Sequence, residues 1–389
     1  MKSFVNNKSF KPFDLAIVFF VFATVIPAIS LSDYVTIPSE RYFFKGFGVL
    51  SLIISMVIMT GCGRLKIRRS EIIFLAAIIT LPLLFAVSAT IYEFPGSLIQ
   101  WLRFITVLLL VMFLSVLDES ELLLCLKIYC YIAVVLVLVS IYQYLVGYPV
   151  YEKFPVLNIR SNKSIIFEQN VFGLFVYMTL LIYGLICFDQ HKWKVIGTQS
   201  IYLFGIFISF YRTVYAFVLL RLFIKHKLLS FIAVITILYF SGLGSVLYEA
   251  LKLEQISTLT GRDVLWSIAI DSFYNAPLLG LGENAIPDIS NAVLKRDPAF
   301  TTYHNVVLDV LAISGIVGFV VYSFLFVYIF SVIDQSHRFI YLLLMAPALA
   351  NTYIAFMPNP LGGILGVFIF YSIRFKRNRK IKLRETGVR

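Results

Sequence analysis

Three residues in the second half of the chain have the type and setting to hold a phosphate and move a proton. His304 stands in Thr301-Thr302-Tyr303-His304-Asn305, just before an apolar run. An imidazole there can take a proton from a hydroxyl, such as a sugar's, near neutral pH. Arg262 stands in Thr260-Gly261-Arg262-Asp263, where Thr260 and Asp263 have the Ser/Thr-x-x-acid spacing of a helix start. The free N–H groups of such a start, with a guanidinium beside them, favour a phosphate. Arg212, in Ser209-Phe210-Tyr211-Arg212-Thr213, has no acidic neighbour and could bind a ligand anion in a cavity. Each has a plainer alternative. Arg212 could snorkel to headgroup phosphates, Arg262 could pair with Asp263 in an ordinary capped helix, and His304 could satisfy a loop carbonyl.

Weaker signals surround these three. Arg160 to Asn170 (RSNKSIIFEQN) leads into another apolar run, and Glu168 and Asn170 could bind a sugar, pair with an arginine or cap a helix. After Arg262 the pattern is amphipathic: Leu265, Ile268, Ala269 and Phe273 share one face, and Asp263, Ser267 and Asp271 the other. That predicts a helix lying on a membrane surface. Pro277-Leu278-Leu279-Gly280-Leu281-Gly282 then stops it with turn chemistry that lets backbone pack closely. The cysteines Cys62, Cys125, Cys130 and Cys187 have no CxxC partner and read as packing residues, with no metal site implied.

The elements that must position these residues follow from composition. Of 389 residues, 60% are hydrophobic and 14% charged, against about 45–50% and 25% in a soluble domain. The mean hydropathy is +0.90. A soluble enzyme, a disordered chain and a disulfide-stapled secreted fold are excluded. The apolar residues come in blocks near twenty, about the length that crosses a hydrocarbon core. The expectation is an all-α polytopic membrane protein of about twelve spans, at roughly 13–31, 46–62, 71–91, 99–117, 122–147, 171–188, 195–211, 213–226, 228–247, 305–330, 339–356 and 362–373. The run from Phe13 reads as an uncleaved first span.

The net charge of +12 reads as a topology signal, with no nucleic acid implied. With the N-terminus in the cytoplasm, about two thirds of the Lys and Arg fall inside, and both termini are cytoplasmic. The whole chain, 1–389, is then one integral membrane domain, and its longest loop, 248–303, lies outside and carries the amphipathic helix. Long loops in compact folds are usually functional. The basic tail from Arg374 reads as an orientation signal near anionic lipid.

The stretches TGRDVLWSIAIDSFYNAPLLGLGENAI (260–286) and YHNVVLDVLAISGIVGFVVYSF (303–324) together resemble the O-antigen polymerase and O-antigen ligase superfamily. The resemblance rests on Thr260-Gly261-Arg262 with Trp266, on Pro277 to Gly282, on His304-Asn305 with Leu308, and on Gly315 with Gly318. It implies a metal-independent, cofactor-free glycosyltransferase at the periplasmic face of the bacterial inner membrane, with 248–303 as the periplasmic loop. The donor would be a glycan on undecaprenyl pyrophosphate, gripped by Arg212 and Arg262, with His304 as the base on the acceptor hydroxyl. Arg160, Glu168, Asn170 and Asn305 would be further substrate contacts. Membrane lipid and a chain-length regulator protein would be the partners.

Within the family, the short chain and its wealth of Phe and Tyr favour a polymerase over a ligase that transfers the chain to lipid A core, or over an exopolysaccharide or capsule polymerase. A lipid-linked oligosaccharide flippase is the reading from a different class. Carriers tend to place ionisable residues mid-membrane, whereas the charges here cluster at span ends.

Overall fold

The computed structural model describes residues 12–27, 38–63, 69–91, 97–146, 153–154, 159–160, 169–187, 192–209, 214–218, 262–282, 305–349 and 359–385. Within them the regular elements are helical, apart from a two-residue antiparallel ladder between β1 (Lys153–Phe154) and β2 (Ile159–Arg160). Continuously apolar runs dictate this outcome. A chain away from water must satisfy its own N–H and C=O groups, and a helix does so within one segment. The principal helices are α1 (Pro12–Val25), α2 (Pro38–Gly61), α3 (Arg69–Ile91), α4 (Ser97–Val116), α5 (Glu119–Val146), α6 (Gln169–Ile186), α7 (Lys192–Ser209), α8 (Arg262–Asn275), α9 (Val306–Val332), α10 (Arg338–Met345) and α11 (Pro360–Glu385).

Three of these, among the described residues, are long and apolar enough to cross a membrane: α3 over Ile72–Ile91, α5 over Glu119–Gln143 and α9 over Val306–Val332. Their outward faces carry exposed apolar side chains, including Ile73 on α3, Tyr131 and Leu145 on α5, and Val320 and Phe324 on α9. Uncovered apolar surface of this extent suits lipid better than water. The expected spans at 13–31, 46–62, 71–91, 99–117, 122–147, 171–188, 195–211, 305–330 and 362–373 each overlap one of the helices, with 28–31, 147, 188 and 210–211 outside the described residues. The range 213–226 is described, as helix, only over 214–218, and 228–247 lies outside the described residues.

The expected span at 339–356 is different. Its α-helix ends at Met345, and Ala346–Leu349 tightens into a 3-10 turn. Pro347 accounts for the change: it has no N–H to donate, and its ring clashes with the carbonyl four residues back.

Local chemistry fixes the helix starts. Ahead of α5, Asp118 and Glu121 form a reciprocal cap, each backbone N–H donating to the other's carboxylate at 2.9 Å. Ahead of α11, the Asn359 carboxamide oxygen accepts from the Gly362 N–H at 2.7 Å. Helix α11 is the axis of the bundle. Residues 361–372 are buried throughout and pack on α1, α4, α5 and α6. Gly363 permits this approach, because an added Cβ would stand 2.7 Å from the Tyr129 hydroxyl and 2.8 Å from Thr24 Cγ2. Those two buried side chains share a 2.6 Å hydrogen bond, and Tyr202 likewise donates to the Cys130 carbonyl at 2.9 Å. Large aromatic side chains thus fill the core while their polar ends stay satisfied.

Candidate functional site

Helix α9 is broken at Gly315, which has φ 61° and ψ −160°. A break in an apolar helix strands backbone groups that lipid cannot satisfy, so other protein groups must. The segment Pro277–Gly282 supplies them. The N–H groups of Leu281 and Gly282 donate to the Ala312 and Ile313 carbonyls at 2.8 and 3.0 Å. In return, Ile316 and Val317 donate to the Pro277 and Leu278 carbonyls at 2.8 and 3.3 Å. The turn and the helix therefore exchange hydrogen bonds on both sides of the break.

This contact is backbone on backbone, and it explains the glycines. A Cβ on Gly280 would stand 2.3 Å from the Ile313 carbonyl carbon, and one on Gly315 would stand 2.4 Å from that of Leu278. Gly280 and Gly282 also have φ of 66° and 81°, where L side chains are strained. Gly318 is excluded from carrying a side chain by Ser314, whose hydroxyl folds back onto the Val310 carbonyl at 2.9 Å. The third participant is α3. The Ser88 hydroxyl lies 2.8 Å from the Leu279 carbonyl, 3.1 Å from that of Ile313 and 3.5 Å from that of Gly280.

Of the residues singled out in the sequence, Asn305 is fully described. It is the N-cap of α9, with its carboxamide oxygen accepting from Val307 N–H at 2.9 Å and Leu308 N–H at 3.3 Å. Arg262 is the first residue of α8 and Asn170 the second of α6, while Arg160 pairs with Lys153 in the ladder. For these three the backbone is described. Arg212, Glu168 and His304 lie outside the described residues. The amphipathic reading of α8 holds in part: Leu265, Ile268 and Ala269 are buried and Phe273 is half-buried, while Ser267 and Asp271 are exposed, but Ile270 and Tyr274 are exposed as well and Ser272 is buried. The structure brings the Pro277–Gly282 turn, which follows the carboxyl end of α8, onto the break ten residues into α9.

Two buried polar residues escaped the sequence reading. Ser88 carries no local signal, since a serine in an apolar helix usually bonds its own backbone. Asp309 did carry one: it interrupts an apolar run, and it is 1% exposed, the one buried carboxylate within the three candidate spans among the described residues. Its place in the first turn of α9 suits an anion.

The opposite end of α9 holds a second polar cluster. Lys376 donates to the Ser331, Val332 and Ile333 carbonyls at 3.0 to 3.2 Å. Arg374 reaches the Leu117 and Ser115 carbonyls at the end of α4. His337 Nδ1 lies 2.9 Å from the Ser372 hydroxyl, and its ring packs against those of Tyr371 and Phe375. Ser, His and Asp meet here, yet not as a nucleophilic triad. The Asp334 carboxylate bonds Ser336, at its N–H and its hydroxyl, and Ser372 is fully buried.

Burial pushes the His337 imidazole below its ordinary value, against the opposing pull of Asp334. Burial would raise the Asp334 carboxyl, but the Ser336 bonds, with Arg379 at 3.8 Å, outweigh it and hold the group below the usual carboxylate range. This cluster is structural.

Comparison with protein-family models and with the curated proteins gives no match to this chain.

Proposed function

We propose that the protein is an O-antigen polymerase, a metal-independent glycosyltransferase. It would join undecaprenyl-pyrophosphate-linked repeat units at the periplasmic face of the bacterial inner membrane. In this reading the chain crosses the membrane about twelve times with both termini in the cytoplasm, and α8 lies along the periplasmic surface. The observation that carries it is the joint between Pro277–Gly282 and Gly315: two parts of the resemblance, distant in sequence, meet through contacts that need their glycines. A fortuitous likeness between apolar segments gives no reason for that reciprocity.

The chemistry follows from the residue types. A sugar hydroxyl of the acceptor attacks the anomeric carbon of the donor. The bond from that carbon to the pyrophosphate oxygen breaks, undecaprenyl pyrophosphate leaves, and His304 takes the hydroxyl proton. Negative charge grows on the leaving group as its bond breaks. Arg212 and Arg262 therefore stabilise the transition state more than the ground state. A positioned base contributes roughly a hundredfold to ten-thousandfold.

The test is the lipopolysaccharide ladder of a strain lacking the gene, with wild-type and His304→Ala copies restored. Core bearing a single repeat unit, with the ladder recovered by the wild-type copy and not by His304→Ala, is expected. Bare core with long polymer still on the carrier lipid would make the protein a ligase instead. An unchanged ladder in the deletion strain would overturn both.

A further inference from the structure

We propose that Ser88 is a positioning residue for this reaction. Its hydroxyl latches the Pro277–Gly282 turn to the break in α9, so that α8 and α9 move as one body and hold the Arg262 end of α8 at a set distance from Asn305 at the start of α9. The inference rests on the glycosyltransferase reading for its catalytic half and on geometry alone for the latch. A serine hydroxyl has one hydrogen, and here that hydrogen faces carbonyls on both sides of the joint, Leu279 and Gly280 of the turn and Ile313 of α9. Ser88 itself is 2% exposed and sits on α3, a candidate span. The latch thus ties the loop-borne helix α8 to the body of the bundle.

The lever arm is what makes this matter. Helix α8, 14 residues long, has its joint at one end and Arg262 at the other, about 20 Å away at the usual rise. A tilt of about three degrees at the joint moves the Arg262 end by about 1 Å, and misplacement on that scale can lower a rate on the order of a hundredfold. The joint is suited to resist such tilt. Its four inter-element bonds straddle the break, and no side chain lies between the two backbones at Gly280 and Gly315.

The experiment uses the purified full-length protein in detergent, as wild type, Ser88→Ala and Ser88→Cys. Two readouts are taken. One is amide hydrogen exchange of peptides covering 276–282 and 312–318. The other is kcat and KM with the polyprenyl-pyrophosphate-linked repeat unit extracted from cells lacking the gene. Ser88→Ala should exchange about two- to tenfold faster in those two peptides and not elsewhere, as expected for one lost hydrogen bond. It should lose about tenfold or more in kcat with KM little changed. Ser88→Cys, similar in size and a weak donor, should recover part of both.

Unchanged exchange in Ser88→Ala would overturn the latch. Faster exchange with unchanged kcat would overturn the positioning role. A wild-type protein that extends no donor would overturn the glycosyltransferase reading and with it the catalytic half, while the exchange readout still decides the latch.

Discussion

At Gly315, helix α9 gives up its own hydrogen bonds and recovers them from the backbone of the Pro277–Gly282 turn; at Ile333 it ends on the Lys376 ammonium, with the Arg338 guanidinium on the Ser331 carbonyl. Both places satisfy carbonyls and amides that an apolar surrounding would leave stranded. The first uses only backbone and one serine hydroxyl. The second is a collar of Asp334, His337, Ser372, Arg374, Lys376 and Arg379. Long cations close the helix ends, and a buried imidazole fills the gap between α9 and α11. A backbone joint tolerates no side chain and carries no ion, so it can fix a geometry tightly across salt and pH. A collar of charged side chains tolerates variation in shape but answers to the solution around it. The Pro277–Gly282 turn and Gly315 meet at the joint, and the collar closes the opposite end of α9.

The sharpest way to break this contrast is at Gly280. Replacement by Ala puts a Cβ about 2.3 Å from backbone of α9 at a residue with φ 66°. Neither partner is a side-chain end that could move aside. The left-handed strain and the forced separation of the joint together should remove about 3 kcal/mol or more. The measurement is the thermal midpoint of the detergent-solubilised protein, with Gly46→Ala as control. Nothing lies within 4 Å of a Cβ at Gly46, and the site is within α2, so that variant should be unchanged or slightly stabilised. Equal midpoints for Gly280→Ala and Gly46→Ala would mean that the joint is not a close backbone contact.

Much of the bundle was legible, because runs of apolar residues near span length leave a chain few options but helices. The turn at Pro277–Gly282 was legible too, from its proline and glycines. The break in α9 was not. VLAISGIVGFVV is one apolar run, and only the partner backbone makes Gly315 leave the helix. Ser88 was illegible for the same reason, since its partners come from elements 191 to 225 residues away. The collar was half legible. The basic run after Ile373 reads as an orientation signal, yet α11 continues as helix to Glu385 and places Arg374 and Lys376 on the carbonyls of other helices. Proline at 347 could have warned that the apolar stretch 339–356 is not one α-helix.

Substitutions in the collar sharpen the comparison from the other side. Arg374→Met keeps the apolar stem but leaves the Leu117 and Ser115 carbonyls without their guanidinium. With the residue only 4% exposed, water cannot readily replace it, and a loss of about 2 kcal/mol is expected. Lys376→Met removes a more accessible cation from the α9 carboxyl end and should lose about 1 kcal/mol. Thermal midpoints at low and high salt check both. The Lys376 deficit should shrink as salt screens the wild-type contact, while the Gly280→Ala deficit should not. A salt-dependent Gly280→Ala deficit would erase the distinction drawn between the two ends.

The smallest effect is the one with the clearest sign. Burial holds His337 below its ordinary 6.5 in the folded protein. As pH falls through 6.5, the unfolded chain takes up a proton that the folded chain refuses. Stability present above that pH is therefore lost, and goes on being lost until the depressed folded value is reached. Asp334, also held below its ordinary 3.8, adds a loss in the same direction only at much lower pH. Between pH 8 and 5, then, the wild-type thermal midpoint should decline below about pH 6.5, and His337→Gln, which cannot titrate there, should flatten the curve. Gly280→Ala, which leaves the imidazole in place, should decline in parallel with wild type from its lower starting point. A decline that persists in His337→Gln would move the acid sensitivity out of the collar. The joint's independence of pH would then have to be tested by exchange at the Leu281 and Gly282 amides.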